Sequence, residues 1–157
     1  MKAASIKELR AALELLTEAD LRHIVHRFAR FRKENKELLT YLLFDARNEE
    51  QYVADIKAHM DEEFTNVHPS NPYYAKKTIR KILRQANRFT NYSESDQTTV
   101  EVLLYFLEKM RELKINIKKT QVLVNMYQSQ LKKINKLVDK MHEDLQYDYR
   151  RLIKSLD

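Results

Sequence analysis

The sequence predicts an all-α fold, antiparallel helical hairpins followed by a long C-terminal helix, and three observations carry that expectation. The 157 residues include no glycine. Only two prolines, Pro69 and Pro72, interrupt the chain. Apolar residues recur at steps of three and four almost throughout, which aligns them on one face of a helix with 3.6 residues per turn. Glycine supplies positive φ and close backbone approach to phosphate. Its absence removes the P-loop, the dinucleotide fingerprint, the Gly-x-Ser-x-Gly elbow and the EF-hand loop. The tight two-residue hairpin turn loses its preferred residue as well, so β folds recede together with nucleotide enzymes.

The length suits one domain over residues 1–157 with a real core. An apolar fraction of 43% supports folding, while 33% charged residues imply an extensive solvated surface. There is no cysteine, which fits a reducing compartment and excludes cysteine-based ligands and nucleophiles. The start, Met1 to Glu8, carries charge where an export signal needs an apolar run. The longest mostly apolar stretch, Leu38 to Phe44, is far short of the roughly 20 residues that span a bilayer. The expected location is therefore the cytoplasm, with no membrane association.

Element by element, Ser5 with Glu8 forms a capping-box pattern opening a helix to about Leu16. Thr17 with Asp20 opens the next, where Leu21, Ile24, Val25, Phe28 and Phe31 share one face. Further helices are expected over roughly Glu37 to Ala46 and Glu49 to Phe64. Residues 66–71, Asn-Val-His-Pro-Ser-Asn, form the clearest break. Asn71 then caps a helix with Pro72 at its first position, where a missing N–H costs nothing. That helix runs to about Thr90, and a sixth carries Val100, Leu103, Leu104, Phe106 and Leu107.

The last third has no breaker. Val124, Tyr127, Leu131, Ile134, Val138, Met141 and Leu145 alternate in steps of three and four, a heptad seam that predicts one helix over 118–156. About 38 helical residues would span roughly 57 Å. Such a helix packs as a spine along the others, pairs with a second copy through its seam, or breaks.

Residues 21–31 align without gaps on residues 79–89, and the apolar helices that follow, Leu38 to Leu43 and Val102 to Leu107, share a tyrosine. Two hairpins, 17–66 and 72–113, are expected to repeat, as in stacked helical pairs. On these residues the chain resembles HEAT-like helical-repeat proteins of the α-α superhelix class. That resemblance implies a scaffold or binding surface and carries over no functional residue. The stretch from Arg32 to Phe44 also resembles uncharacterised bacterial helical proteins.

Between Pro72 and Tyr92 lie Lys76, Lys77, Arg80, Lys81, Arg84 and Arg88 with no acidic residue. At about 100° per residue, Ala75, Ile79, Ile82, Leu83, Ala86 and Phe89 gather on one face. Lys77, Arg80, Lys81, Arg84 and Arg88 lie opposite, as a basic ridge. Ordinary solvated helices mix signs to gain i,i+4 pairs; this one does not. The repeat places Arg22, His23, His26 and Arg30 at equivalent positions. Such a ridge attracts phosphate backbones, acidic protein patches or anionic lipid heads, unless the acidic fourth helix, with Asp55, Asp61, Glu62 and Glu63, neutralises it.

Asp20-x-x-His23, His23-x-x-His26, Asp139-x-x-His142 and the group Asp55, His59 and Glu62 bring metal-ligating residue types together. They read as surface groups, because carboxylate-bridged bundles need Glu-x-x-His pairs facing the core. No metal, cofactor or catalytic residue is expected, since no nucleophile stands beside a base. Nine tyrosines, Tyr73 and Tyr74 among them, read as half-buried rings with wet hydroxyls. The expected function is a non-enzymatic scaffold or protein-interaction module, with a protein or a second copy as partner. Nucleic-acid binding through the basic ridge is the alternative.

Overall fold

A computed structural model describes residues 2–113 and 120–156 and is helical, with no strand among them. The helices are α1 (Ile6–Glu14), α2 (Glu18–Phe31), α3 (Lys33–Thr40), α4 (Glu49–Thr65), α5 (Pro72–Ser93), α6 (Asp96–Glu112), α7 (Gln121–Val138) and α8 (Glu143–Ser155). The chain groups as two compact units, Met1–Phe44 and Asp45–Asp157. The one body expected over 1–157 is thus divided, and the expected first hairpin, 17–66, lies across the division.

The N-terminal unit is built from local signals. The Glu8 N–H donates to Ser5 Oγ at 3.3 Å while the Glu8 carboxylate accepts from the Ser5 N–H at 2.7 Å, closing the capping box. Thr17 caps α2 by accepting from the Asp20 N–H at 3.2 Å. Arg32, in extended backbone, ends α2 and starts α3 with neither proline nor glycine. The corner is tied by Asn35 Nδ2 donating to the Phe28 carbonyl at 2.8 Å. The expected helix over 37–46 therefore starts earlier and ends in a wide π turn, Tyr41–Asp45. Apart from Tyr41, no described residue of this unit is buried.

The C-terminal unit is an up-and-down bundle in which α6 is the centre. Val100, Val102, Leu103, Leu104, Phe106, Leu107 and Met110 are all buried, which takes in more than one face of the helix and marks it as enclosed. Helix α4 runs alongside α6: Thr98 Oγ1 donates to Glu49 at one end, and Phe64 meets Phe106 towards the other. Helix α5 runs opposite to α4, with Tyr52 Oη donating to the Phe89 carbonyl at 3.0 Å and Lys81 meeting Glu63 at 2.7 Å. Ala75, Ile79, Ile82 and Ala86 form its buried stripe, the face expected from sequence.

The turn between α5 and α6 shows how a chain without glycine ends a helix. Glu94 takes the left-handed conformation, φ 54° and ψ 11°, where a Cβ costs roughly 1 kcal/mol or more and glycine is usual. Glu94→Gly is expected to raise stability by about 0.5–1 kcal/mol, after the extra chain entropy of glycine in the unfolded state is set against the relieved strain. Urea denaturation measures it, and an unchanged or lower midpoint would contradict this account of the turn.

The long C-terminal helix is corrected to two. Its start at 118–119 lies outside the described residues, and α7 stops at Val138. The turn at 139–142 needs no proline or glycine because side chains close it. Gln146 Nε2 donates to the Met141 carbonyl at 2.8 Å, and Arg150 reaches Asp139 at 3.1 Å. Glu143 and Asp144 then open α8, carboxylates where the helix dipole favours them. Helix α8 folds back so that Tyr149, Ile153 and Leu156 are buried. Tyr127 Oη donates to the Leu156 carbonyl at 3.0 Å, and Arg111 to the Ser155 carbonyl at 2.6 Å.

That reversal also reassigns the heptad seam. Ile134 and Val138 are fully buried, while Val124, Tyr127, Leu131, Met141 and Leu145 are half-buried. Helix α7 packs on α6 and α8, so Ile134 and Val138, two of the residues that could have faced a second copy, face their own bundle. A 3.5-residue repeat serves either arrangement, because both ask only for a continuous apolar stripe.

Candidate functional site: a basic face on helix α5

Asn71 caps α5 by accepting from the Tyr74 N–H at 3.3 Å, with Pro72 in the first turn as expected. With Ala75, Ile79, Ile82 and Ala86 fixed in the core, helical geometry turns Tyr73, Lys77, Arg80 and Arg84 outward. Tyr73, Lys76, Lys77, Arg80, Lys81 and Arg84 line one shallow open depression. Tyr73 and Tyr74 are 68% and 57% exposed, not half-buried, and their rings form a T-shaped pair 5.5 Å apart.

The acidic fourth helix does not silence this face. Glu63 pairs with Lys81, which remains half-exposed. Asp61 is committed elsewhere: Tyr105 Oη donates to it at 2.7 Å, and Lys109 Nζ lies 3.0 Å away. Burial works against the Asp61 charge, but the hydrogen bonds from Tyr105 and Lys109 outweigh it and hold the carboxyl below its ordinary value. The Lys109 ammonium is pushed up by its hydrogen bond to Asp61, which outweighs burial. Asp55 accepts from Gln51. Among the described residues, no carboxylate lies within 4.0 Å of Lys76, Lys77, Arg80 or Arg84.

Arg88 leaves the ridge. It is half-buried, with its guanidinium 5.2 Å from the centre of the Phe89 ring. Phe89 in turn meets His59 edge to face, which places that histidine in packing with α5. The basic residues of α2 stand in the other unit. Arg22 pairs with Glu18 one turn away, while His23, His26, Arg27 and Arg30 line a depression of their own. Arg27 lay outside the ridge read from sequence, because its position falls beside the apolar stripe.

Two further polar clusters had no local sequence signal. Lys133 on α7 donates to Asn87 Oδ1 on α5 at 2.7 Å, and burial pulls its ammonium below the ordinary value. Tyr149 on α8 donates to Glu101 on α6 at 3.0 Å; burial, with the Glu101 charge beside it, pushes the phenol up. Each joins groups more than 40 residues apart, so only the packing of the bundle brings them together.

Among the described residues, no helix is long and apolar enough to cross a membrane. Comparison with protein-family models, curated proteins and solved structures returned no match.

Proposed function

We propose that this protein is a non-enzymatic helical interaction module whose N-terminal unit docks onto a protein partner. The observation that carries the reading is the apolar surface of that unit. Ile6, Leu9 and Leu13 on α1 and Ile24, Val25, Phe28 and Phe31 on α2 are all exposed, Phe28 at 59% and Phe31 at 76%. Leu42, Leu43 and Phe44 are exposed as well. Large apolar side chains left exposed along one face of a helix on a folded protein mark an interaction site. Burying one such side chain stabilises by about 1.5–3 kcal/mol, so leaving the face in water forfeits much of what would hold the unit together. Helices too short to be stable alone take most of their stability from packing, and here a partner supplies it.

The reading is tested by placing a photo-crosslinking amino acid at position 28, and separately at exposed Asn125 on α7, in cells that make the protein. A discrete adduct from position 28, lost with Ile24→Ser and absent at position 125, is expected. Its mass distinguishes a second copy from a different protein. Equal, diffuse labelling at both positions would contradict the reading.

A second reading has its own observation. The unneutralised face of α5 favours nucleic acid, because clustered cations without carboxylate partners release counterions when they meet a phosphate backbone. The residues concerned are Lys77, Arg80 and Arg84, with Lys81 shared with Glu63.

A further inference from the structure

We propose that the α5 face binds single-stranded nucleic acid, with bases stacked on Tyr73 and Tyr74 and phosphates tracked by Lys77, Arg80 and Arg84. The proposal rests on the nucleic-acid reading and adds the strandedness and the division of labour. Tyr73, Lys77, Arg80 and Arg84 follow one another at steps of four, three and four. They form one stripe about 16 Å long at 1.5 Å per residue, in line with the depression they share with Lys76 and Lys81. The Tyr73 ring therefore stands at one end of a cationic track, with Tyr74 beside it.

The rings argue for a single strand. In a duplex the faces of the bases are already stacked on one another, so exposed tyrosines gain nothing from them. In a single strand they are open, and stacking on them is tolerant of sequence. In the T-shaped arrangement, 82° between ring planes, the edge of one ring covers one face of the other, and the remaining exposed ring surface is open to incoming bases. The other polyanions fit less well. An acidic peptide would satisfy the cations and leave both tyrosines in water. An anionic lipid surface needs an apolar strip to insert, and the large apolar side chains of α5 point into the bundle, with Ile79 and Ile82 buried and Leu83 half-buried.

The full-length chain is titrated against a fluorescent single-stranded oligonucleotide of mixed sequence, the same sequence as a duplex, polyglutamate, and vesicles containing phosphatidylserine. Single strands are expected to bind most tightly. Tyr73→Ala with Tyr74→Ala should weaken that binding about tenfold for each ring while leaving its salt dependence unchanged. Tyr73→Phe with Tyr74→Phe should retain it. Lys77→Gln, Arg80→Gln and Arg84→Gln should each flatten the salt slope by about 0.7. All these side chains are on the surface, and an unchanged circular dichroism melt confirms that each variant folds. If the charge variants weaken binding but the alanine variants do not, or if the duplex binds as tightly, the single-strand proposal is overturned and nucleic-acid binding stands. If only polyglutamate or vesicles bind, both are overturned.

Discussion

Phe106→Ala is expected to destabilise the C-terminal unit by about 3–5 kcal/mol. Phe106 is fully buried near the middle of α6, with its ring 5.8 Å from that of Phe64 on α4. Truncation removes the transfer free energy of the ring and leaves a cavity that the neighbouring helices cannot close. Domains have only about 5–15 kcal/mol in hand, so the urea midpoint should fall by a large fraction of its value. Phe28→Ala is the matched control. Phe28 is 59% exposed, and its loss should move the midpoint by no more than about 0.5 kcal/mol in the isolated protein. A Phe106→Ala variant as stable as the wild type would mean that α6 is not the centre of the bundle.

Val138→Asp is the second large effect, and it separates two meanings of one sequence pattern. Val138 is 1% exposed at the end of α7. An unpaired carboxylate there costs several kcal/mol or forces its own protonation, so the unit should lose helical signal at lower urea by about 3 kcal/mol or more. The loss should be independent of protein concentration, because Val138 is buried by the same chain. Leu131→Asp, at a half-buried position, should cost less. If Val138→Asp instead preserves the melt and halves the mass in light scattering, the seam joins two copies and the intrachain packing of α7 is wrong.

Much of the helix pattern was legible because helix boundaries are local events. Ser5 with Glu8, Thr17 with Asp20, and Asn71 before Pro72 each act within one turn, and each caps a helix in the structure. The buried stripe of α5 was legible for the same reason, since periodicity alone places Ile79, Ile82 and Ala86 on one face. The ends that were misplaced lack such signals. Arg32 breaks the chain without a breaker residue, and the turn at 139–142 is held by Gln146 and Arg150, which sit in the next helix. The aligned segments 21–31 and 79–89 also end in different surroundings. Ile82 is buried whereas Ile24 is exposed, since similar amphipathic helices carry no instruction about what covers them.

The candidate site divides along the same line. The positions of Lys77, Arg80, Lys81 and Arg84 on one outward face follow from 3.6 residues per turn and a single apolar stripe. Whether that face carries net charge does not follow, because Glu63 and Asp61 reach it or turn from it only through tertiary packing. Asp61 is drawn away by Tyr105 and Lys109 on α6, residues 44 and 48 positions later.

The sequence by itself determined that the chain is helical, where most helices begin, and which face of α5 is basic. Those properties depend on backbone hydrogen bonding and side chains within a turn or two. Only the tertiary structure decided that α6 is the enclosed helix, that Ile134 and Val138 of the heptad seam are buried in the chain's own bundle, and that large apolar side chains of α1 and α2 are exposed. Burial is a relation between surfaces distant in sequence, and an amphipathic stripe looks the same whether its counterpart is another helix of the chain or another molecule.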